Sequence, residues 1–380
     1  HKPLRRKVIR FRAEITALSA ILISAGFALY AGFSFESPNK QNRAQPQAAA
    51  LLASSALEYD SPLPRGDAGY PGQSGGSQLP QSEYFSSWTK EDPHTRFFHF
   101  SSSLSDSLGV IQDSGSNSQV LRIQNGKPVT GNKSASGDVI MQNFQPFGLA
   151  ASSYLLDEPA LLKHFRPDEI KALYIINDVV GNDRALQNIR GWRALTKLNI
   201  QSANGFTDGC LPYIDQIPSL TALTLSDTRV TAPAIASMKR LLQFQSLNFQ
   251  HVKKLAPVFD ELAKSKALQQ LYLRRTGVED SDLEKIGRLS NLRVLDISEN
   301  EGFSSKGFAH LAQLPHLEEL YADRSGISDD CIQYLSSMKK LKVLTVSNDK
   351  LSSQGRIRAI QALPKGCKVF DNYATNMDVH

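Results

Sequence analysis

Along the C-terminal half of the chain, apolar residues stand three and then two positions apart, and the phrase returns after 24 or 25 residues. The stretch LQQLYLRRTGVEDSDLEKIGRLSNLRVLDIS, from Leu268 to Ser298, holds one full period. Leu268, Leu271 and Leu273 suit neither a helix, which needs apolar positions three and four apart, nor an uninterrupted strand of period two. Leu271 and Leu273 flank Tyr272 as in one short strand, and the polar RRTG then turns the chain. EDSD supplies oxygens for a helix start, after which Leu283, Ile286 and Leu289 recur at a spacing of three, as on one face of a short helix. A strand, a turn and a helix that returns to the next strand make one coil of a solenoid.

Phrases of this form begin at Ile170, Leu195, Leu220, Phe244, Leu268, Leu292, Leu317 and Leu341, at intervals of 25, 25, 24, 24, 24, 25 and 24 residues. The pattern predicts an α/β solenoid of about eight coils. Each coil buries only a thin apolar wedge, so neighbours must stack and both ends need caps. The words TLSDTRVTAPAI, YLRRTGVEDSDL, YADRSGISDDCI and NIQSANGFTDGCL resemble leucine-rich repeats of the ribonuclease-inhibitor-like branch. That resemblance implies parallel strands on a concave face, helical segments on a convex face, and binding as the usual task. Ala322 stands where the unit has Leu, the fourth coil lacks the Thr and Asp, and the last carries an extra residue.

Upstream the pattern changes three times. Residues 94–165 hold short β-like runs, RFFHFS, SLGVIQ, SQVLRIQ, GDVIMQNF and PFGLAAS, divided by Gly, Ser and Asn, and predict a small β-rich module that caps the first coil of a solenoid running from 166 to 380 with its own C-terminal cap. Residues 36–93 are rich in Pro, Gly, Ser and Gln, as in SPLPRGDAGYPGQSGGSQLPQS; such a composition buries no core and predicts a disordered linker with a reach of about 40 Å. Within residues 13–35, the run from Ile15 to Phe35 carries no charge, and its 21 residues span about 31 Å as a helix, enough for a bilayer. It exceeds a typical signal-peptide core and ends without an Ala-x-Ala site, which favours one uncleaved transmembrane helix.

The net charge of +6 comes from that end of the chain. Lys2, Arg5, Arg6, Lys7, Arg10 and Arg12 supply six positive charges with no acid among them, which leaves the remainder neutral and removes the case for nucleic acid. By the positive-inside rule, residues 1–12 form a cytoplasmic juxtamembrane stub and the repeats lie outside the cytoplasm. This arrangement resembles the extracytoplasmic part of bacterial membrane receptors, including receptor-like serine/threonine kinases. The resemblance implies, as the alternative to a plain recognition module, a sensor whose kinase domain precedes His1.

Catalytic chemistry leaves few traces. The histidines show no HxxxH pair and no metal-site spacing with cysteine, and GxSxG and Walker motifs are absent, so no catalytic residue, metal or cofactor is assigned. Cys210 and Cys331 occupy the same slot five coils apart, about 24 Å at 4.8 Å per strand, too far for a disulfide. Asp208, Asp280, Asp282, Asp329 and Asp330 stand where helices begin, as capping groups.

The functional expectation therefore rests on the concave face. If Leu271 and Leu273 point inward, Gln270, Tyr272 and Arg274 point outward. The same alternation selects Tyr174, Lys197, Asn199, Asp296, Glu319, Tyr321 and Asp323 as binding residues. The expected partner is a protein, a peptide or an envelope polymer.

Overall fold

The structure, a computed structural model, describes residues 85–88, 94–100, 107–112, 118–124, 127–129, 133–177, 182–347, 350–371 and 374–378. The expected basic stub and transmembrane helix, and nearly all of the expected linker, lie outside the described residues. Among the described residues no helix is long and apolar enough to cross a membrane.

The strands are β1 Phe85–Trp88, β2 Arg96–His99, β3 Gly109–Gln112, β4 Gln119–Gln124, β5 Lys127–Val129, β6 Asp138–Gln142, β7 Phe147–Ala151, β8 Ile170–Ile176, β9 Lys197–Gln201, β10 Ala222–Ser226, β11 Ser246–Asn248, β12 Gln270–Tyr272, β13 Val294–Asp296, β14 Glu319–Tyr321, β15 Val343–Thr345, β16 Lys368–Asp371 and β17 Ala374–Asp378. They form two sheets. Five antiparallel strands in the order β1-β2-β6-β4-β5 make the N-terminal module. The second sheet is twelve-stranded, ordered β17-β16-β15-β14-β13-β12-β11-β10-β9-β8-β7-β3, and is parallel from β7 to β16. β3 and β17 join its two ends antiparallel.

Two features differ from the expected boundaries. β1 forms inside the segment read as linker, where YFSSW interrupts the Gly- and Pro-rich run. β3 and β7 belong to the solenoid's own sheet, so the β-rich module and the first coil share one ladder of hydrogen bonds. The core is shared as well: Phe98, Phe147 and Leu149 belong to the same buried cluster as Leu173, Ile175 and the later coils.

The three-plus-two spacing becomes geometry in the parallel sheet. Leu173, Leu198, Leu223, Leu247, Leu271, Leu295, Leu320 and Leu344 pair in register, one per strand, as an inward column. All are buried, each contributing about 1.5 to 3 kcal/mol of apolar burial. Ala322, the smaller substitute in the next column, is equally buried, and its N–H donates to the Thr345 carbonyl at 3.0 Å. The convex side carries short α- and 3₁₀-helical turns, such as Asp280–Ile286 and Asp208–Cys210. The three cysteines are free and buried, as small core residues are.

One to three residues after each of β8 to β14 stands a residue of positive φ, where the chain turns toward the convex side. Asn177, Ser202, Asp227, His251, Arg275, Glu299 and Arg324 take φ between 49° and 67° at the coil period. Asn300 braces the turn of the preceding coil: its Oδ1 accepts from the N–H groups of Thr276, Gly277 and Val278, and its Nδ2 donates to the carbonyls of Leu273, Ile297 and Ser298.

The aspartates at the helix starts act differently from the capping expectation. Asp280 accepts from Ser304 N at 2.6 Å and Ser304 Oγ at 2.7 Å, in the next coil. Asp183 does the same with Thr207, Asp208 with Thr231, and Asp329 with Ser352. They clamp neighbouring coils rather than cap their own helices. Gly307 and Gly355 make room, since a Cβ at either would overlap the clamping carboxylate. Asp282 follows the expectation, accepting from Glu279 N at 3.1 Å in a capping box, and Asp330 stands in the first turn of its helix.

Candidate functional site on the concave face

Parallel pairing lines the residue after the inward leucine of each strand into one row: Tyr174, Asn199, Thr224, Asn248, Tyr272, Asp296, Tyr321 and Thr345. The ten residues expected to bind fall into two groups along it. Tyr174, Lys197 and Asn199 sit on β8 and β9, where Lys197 Nζ lies 5.4 Å from the Tyr174 ring centroid. The other seven sit on β12 to β14 or just after them. Asn199 and Tyr272 are three strand spacings apart, about 14 Å, so the groups are separate.

Alternation alone expected all ten to face solvent. Tyr174, Asn199 and Asp296 are instead buried, at 7%, 6% and 0% exposure. Strands only about 4.8 Å apart crowd side chains on an inner face, and a short residue between long ones is covered. Asp296 stands in register between Tyr272 and Tyr321, both half-buried. Its Oδ1 accepts from Ser298 N at 2.9 Å, while Oδ2 is buried with no hydrogen-bond partner. Burial pushes this carboxyl above its ordinary range, against hydrogen bonds from Ser298 and the charge of Arg274.

The neighbouring groups lean the same way. Burial first, then Glu319 and Asp296, pushes the Tyr272 phenol up to about 12. Burial and its own hydrogen bond to Glu319 Oε2, 2.7 Å, push Tyr321 up as well. Both tyrosines stay neutral and keep a polar edge over an acidic floor. Asp323 accepts from Thr345 Oγ1 at 2.8 Å and Ser347 N at 2.7 Å, which fixes its direction. Gln270 is exposed.

Arg274 pairs with a residue that follows β13. Its guanidinium binds Glu299, which Arg275 Nε also reaches at 2.8 Å. The hydrogen bond from Arg274, with the charges of Arg274, Arg275 and Arg324, holds the Glu299 carboxyl below its ordinary range. Glu299 was not among the expected site residues because it follows the strand and turns back only through its positive φ. With Arg274 so engaged, the patch around Tyr272 and Tyr321 is dominated by Asp296, Glu319 and Asp323. Among the described residues no group of three or more His, Cys, Asp or Glu side chains is placed to hold a metal ion.

No family model matches the chain. No curated protein matches it either. Among solved structures it is similar to an internalin C2 from Listeria monocytogenes, with 23% identity over 54% of this chain and 82% of that one, at a TM-score of 0.42. It is also similar to an internalin from the same organism, inlF, with 15% identity over 61% of this chain and 68% of that one, at a TM-score of 0.42. A plant peptide hormone receptor, RGFR1 in complex with RGF2, shows 16% identity over 54% of this chain and 33% of that one, at a TM-score of 0.34. The fold assignment stands on the chain itself: a leucine-based repeat whose coils stack one parallel strand at a time is a leucine-rich-repeat-like solenoid.

Proposed function

We propose that the chain is a recognition module that binds a protein, peptide or envelope polymer across β12 to β14 of its concave face. We further propose that residues 13–35 hold it in a membrane with the repeats extracytoplasmic. The observation that carries the binding reading is the buried, unpartnered Oδ2 of Asp296 between two tyrosines. An acceptor left without a donor costs about 1 to 3 kcal/mol, and a ligand N–H that reached it would recover that cost. Tyrosine suits the flanks because it buries area rigidly while keeping a polar tip. The acidic surroundings favour a donor-rich or basic segment over an acidic one.

Selection of displayed peptides against the full chain tests this. Enriched peptides are expected to carry Lys or Arg and to bind Tyr272→Ala and Tyr321→Ala roughly 30-fold more weakly, the equivalent of about 2 kcal/mol. Equal binding by both variants, with circular dichroism unchanged, rejects the concave site. The membrane part is supported by the basic flank and the uncharged run. Protease added to intact cells should release a fragment containing the repeats, and full protection rejects that orientation.

A further inference from the structure

A second concentration of charge lies on the loops that lead into β14, β15 and β16. The runs MKKLK and PKGCK place Lys339, Lys340, Lys342 and Lys365 around a pocket of about 260 Å³ whose one acid is Glu318. His316, Lys340 and Lys365 hold the corresponding place in three successive turns, 24 and 25 residues apart, so the coil period itself stacks them into a column. Glu318 is already spent on cations: Lys342 Nζ and Arg293 Nη1 each lie 2.5 Å from one of its oxygens. Lys340 Nζ donates to His316 Nδ1 at 2.8 Å, which directs the ammonium without neutralising it. Lys339 and Lys365 form no ion pair with a described carboxylate and are exposed. Three of the lysines that line the pocket, Lys339, Lys340 and Lys365, are therefore exposed and without a carboxylate partner among the described residues.

We infer that this pocket binds a phosphate-bearing anion, with Lys340 and Lys365 as its main cations. A single carboxylate would leave most of the positive charge unmet, whereas a phosphate monoester or pyrophosphate brings two or more negative charges into the same volume. The residue type agrees. Lysine presents a compact charge on a flexible stem and meets tetrahedral oxygens from several sides, while planar carboxylates are better matched by the fork of arginine. The inference is independent of the concave site, which lies on the strands and is acidic.

Titration calorimetry on the full chain at low ionic strength tests it with two probes, inorganic pyrophosphate and a short-chain soluble phosphatidate below its micellar concentration. At least one is expected to bind with submillimolar affinity and to weaken as salt shortens the screening length. The double variant Lys340→Ala/Lys365→Ala is expected to bind tenfold or more weakly. Lys264→Ala/Lys266→Ala, which removes the same charge three coils away, is expected to bind as the parent chain does. Preference for pyrophosphate assigns a soluble ligand, and preference for the phosphatidate assigns a lipid headgroup. Failure of both probes, or equal weakening in the two double variants, overturns the inference.

Discussion

Arg96 Nη2 lies 2.8 Å from Glu169 Oε1, with both side chains fully buried. The pair joins β2 of the N-terminal module to the turn that leads into β8. Arg96 also reaches Asp168 Oδ2 at 3.1 Å and sits 4.9 Å from the centroid of the Phe144 ring. Glu169 Oε2 accepts from Arg166 N at 2.7 Å, so the carboxylate is held from two sides. Removing one partner of a buried ion pair strands the other charge. Arg96→Ala is therefore expected to lower unfolding stability by about 3 to 5 kcal/mol, read from urea denaturation. The double change Arg96→Met/Glu169→Leu should recover much of that loss; no recovery would mean that packing, not charge, dominates here.

Asp296→Asn is expected to stabilise the protein at pH 7 and to weaken ligand binding. The folded carboxyl titrates above its unfolded value, so native stability falls as pH rises through the window between the two, and the full burden is present above the folded value. The amide keeps the acceptor for Ser298 N without a buried charge. A gain of about 1 to 2 kcal/mol at pH 7 is expected, shrinking toward pH 4. A destabilised Asp296→Asn would show that the carboxylate has a donor in solution.

The clamps between coils set the response to acid. Asp280 and Asp329 titrate below the ordinary aspartate range: Ser304 and Gly307 amides and the Ser304 hydroxyl offset the burial of Asp280, while the Ser352 hydroxyl and amide lower Asp329. For carboxyls lowered in the folded state, the stabilisation is complete above the unfolded value near pH 4 and is lost as pH falls through the folded one. The contribution of these clamps to the denaturation midpoint should thus be constant from neutrality down to about pH 4 and be lost below it. Asp280→Ala should cost about 1 to 2 kcal/mol at pH 7 and show a shallower acid drop than the parent chain. An unchanged acid profile would place the proton-linked loss elsewhere.

Ser202 takes φ 52° at the end of β9, a conformation in which a side chain crowds the backbone. Ser202→Val is expected to cost about 1 to 2 kcal/mol, because a β-branched residue fits that region least. Ser202→Gly should be neutral or stabilising in the same melting experiment. Equal effects of the two changes would argue that the turn relaxes out of the left-handed region.

The linear order of residues was enough to determine the solenoid and its inward columns. A period of 24 or 25 with leucines three and two apart allows one short strand per coil, and burial of Leu198, Leu271 and Leu320 follows from that spacing alone. Which outward positions meet water could not be read in the same way. Whether Asp296 is exposed depends on the bulk of Tyr272 and Tyr321, 24 and 25 residues away, which only stacking brings alongside. The roles of Asp208, Asp280 and Asp329 were misread for the same reason: a helix-start aspartate caps its own helix by local rules, but the next coil offers a hydroxyl and an amide at the same height. Glu299 was missed because a residue after the strand returns to the site only through a positive φ. The lysine pocket escaped because Lys340 and Lys365 are separated along the chain, and the stacking period alone converts that separation into adjacency.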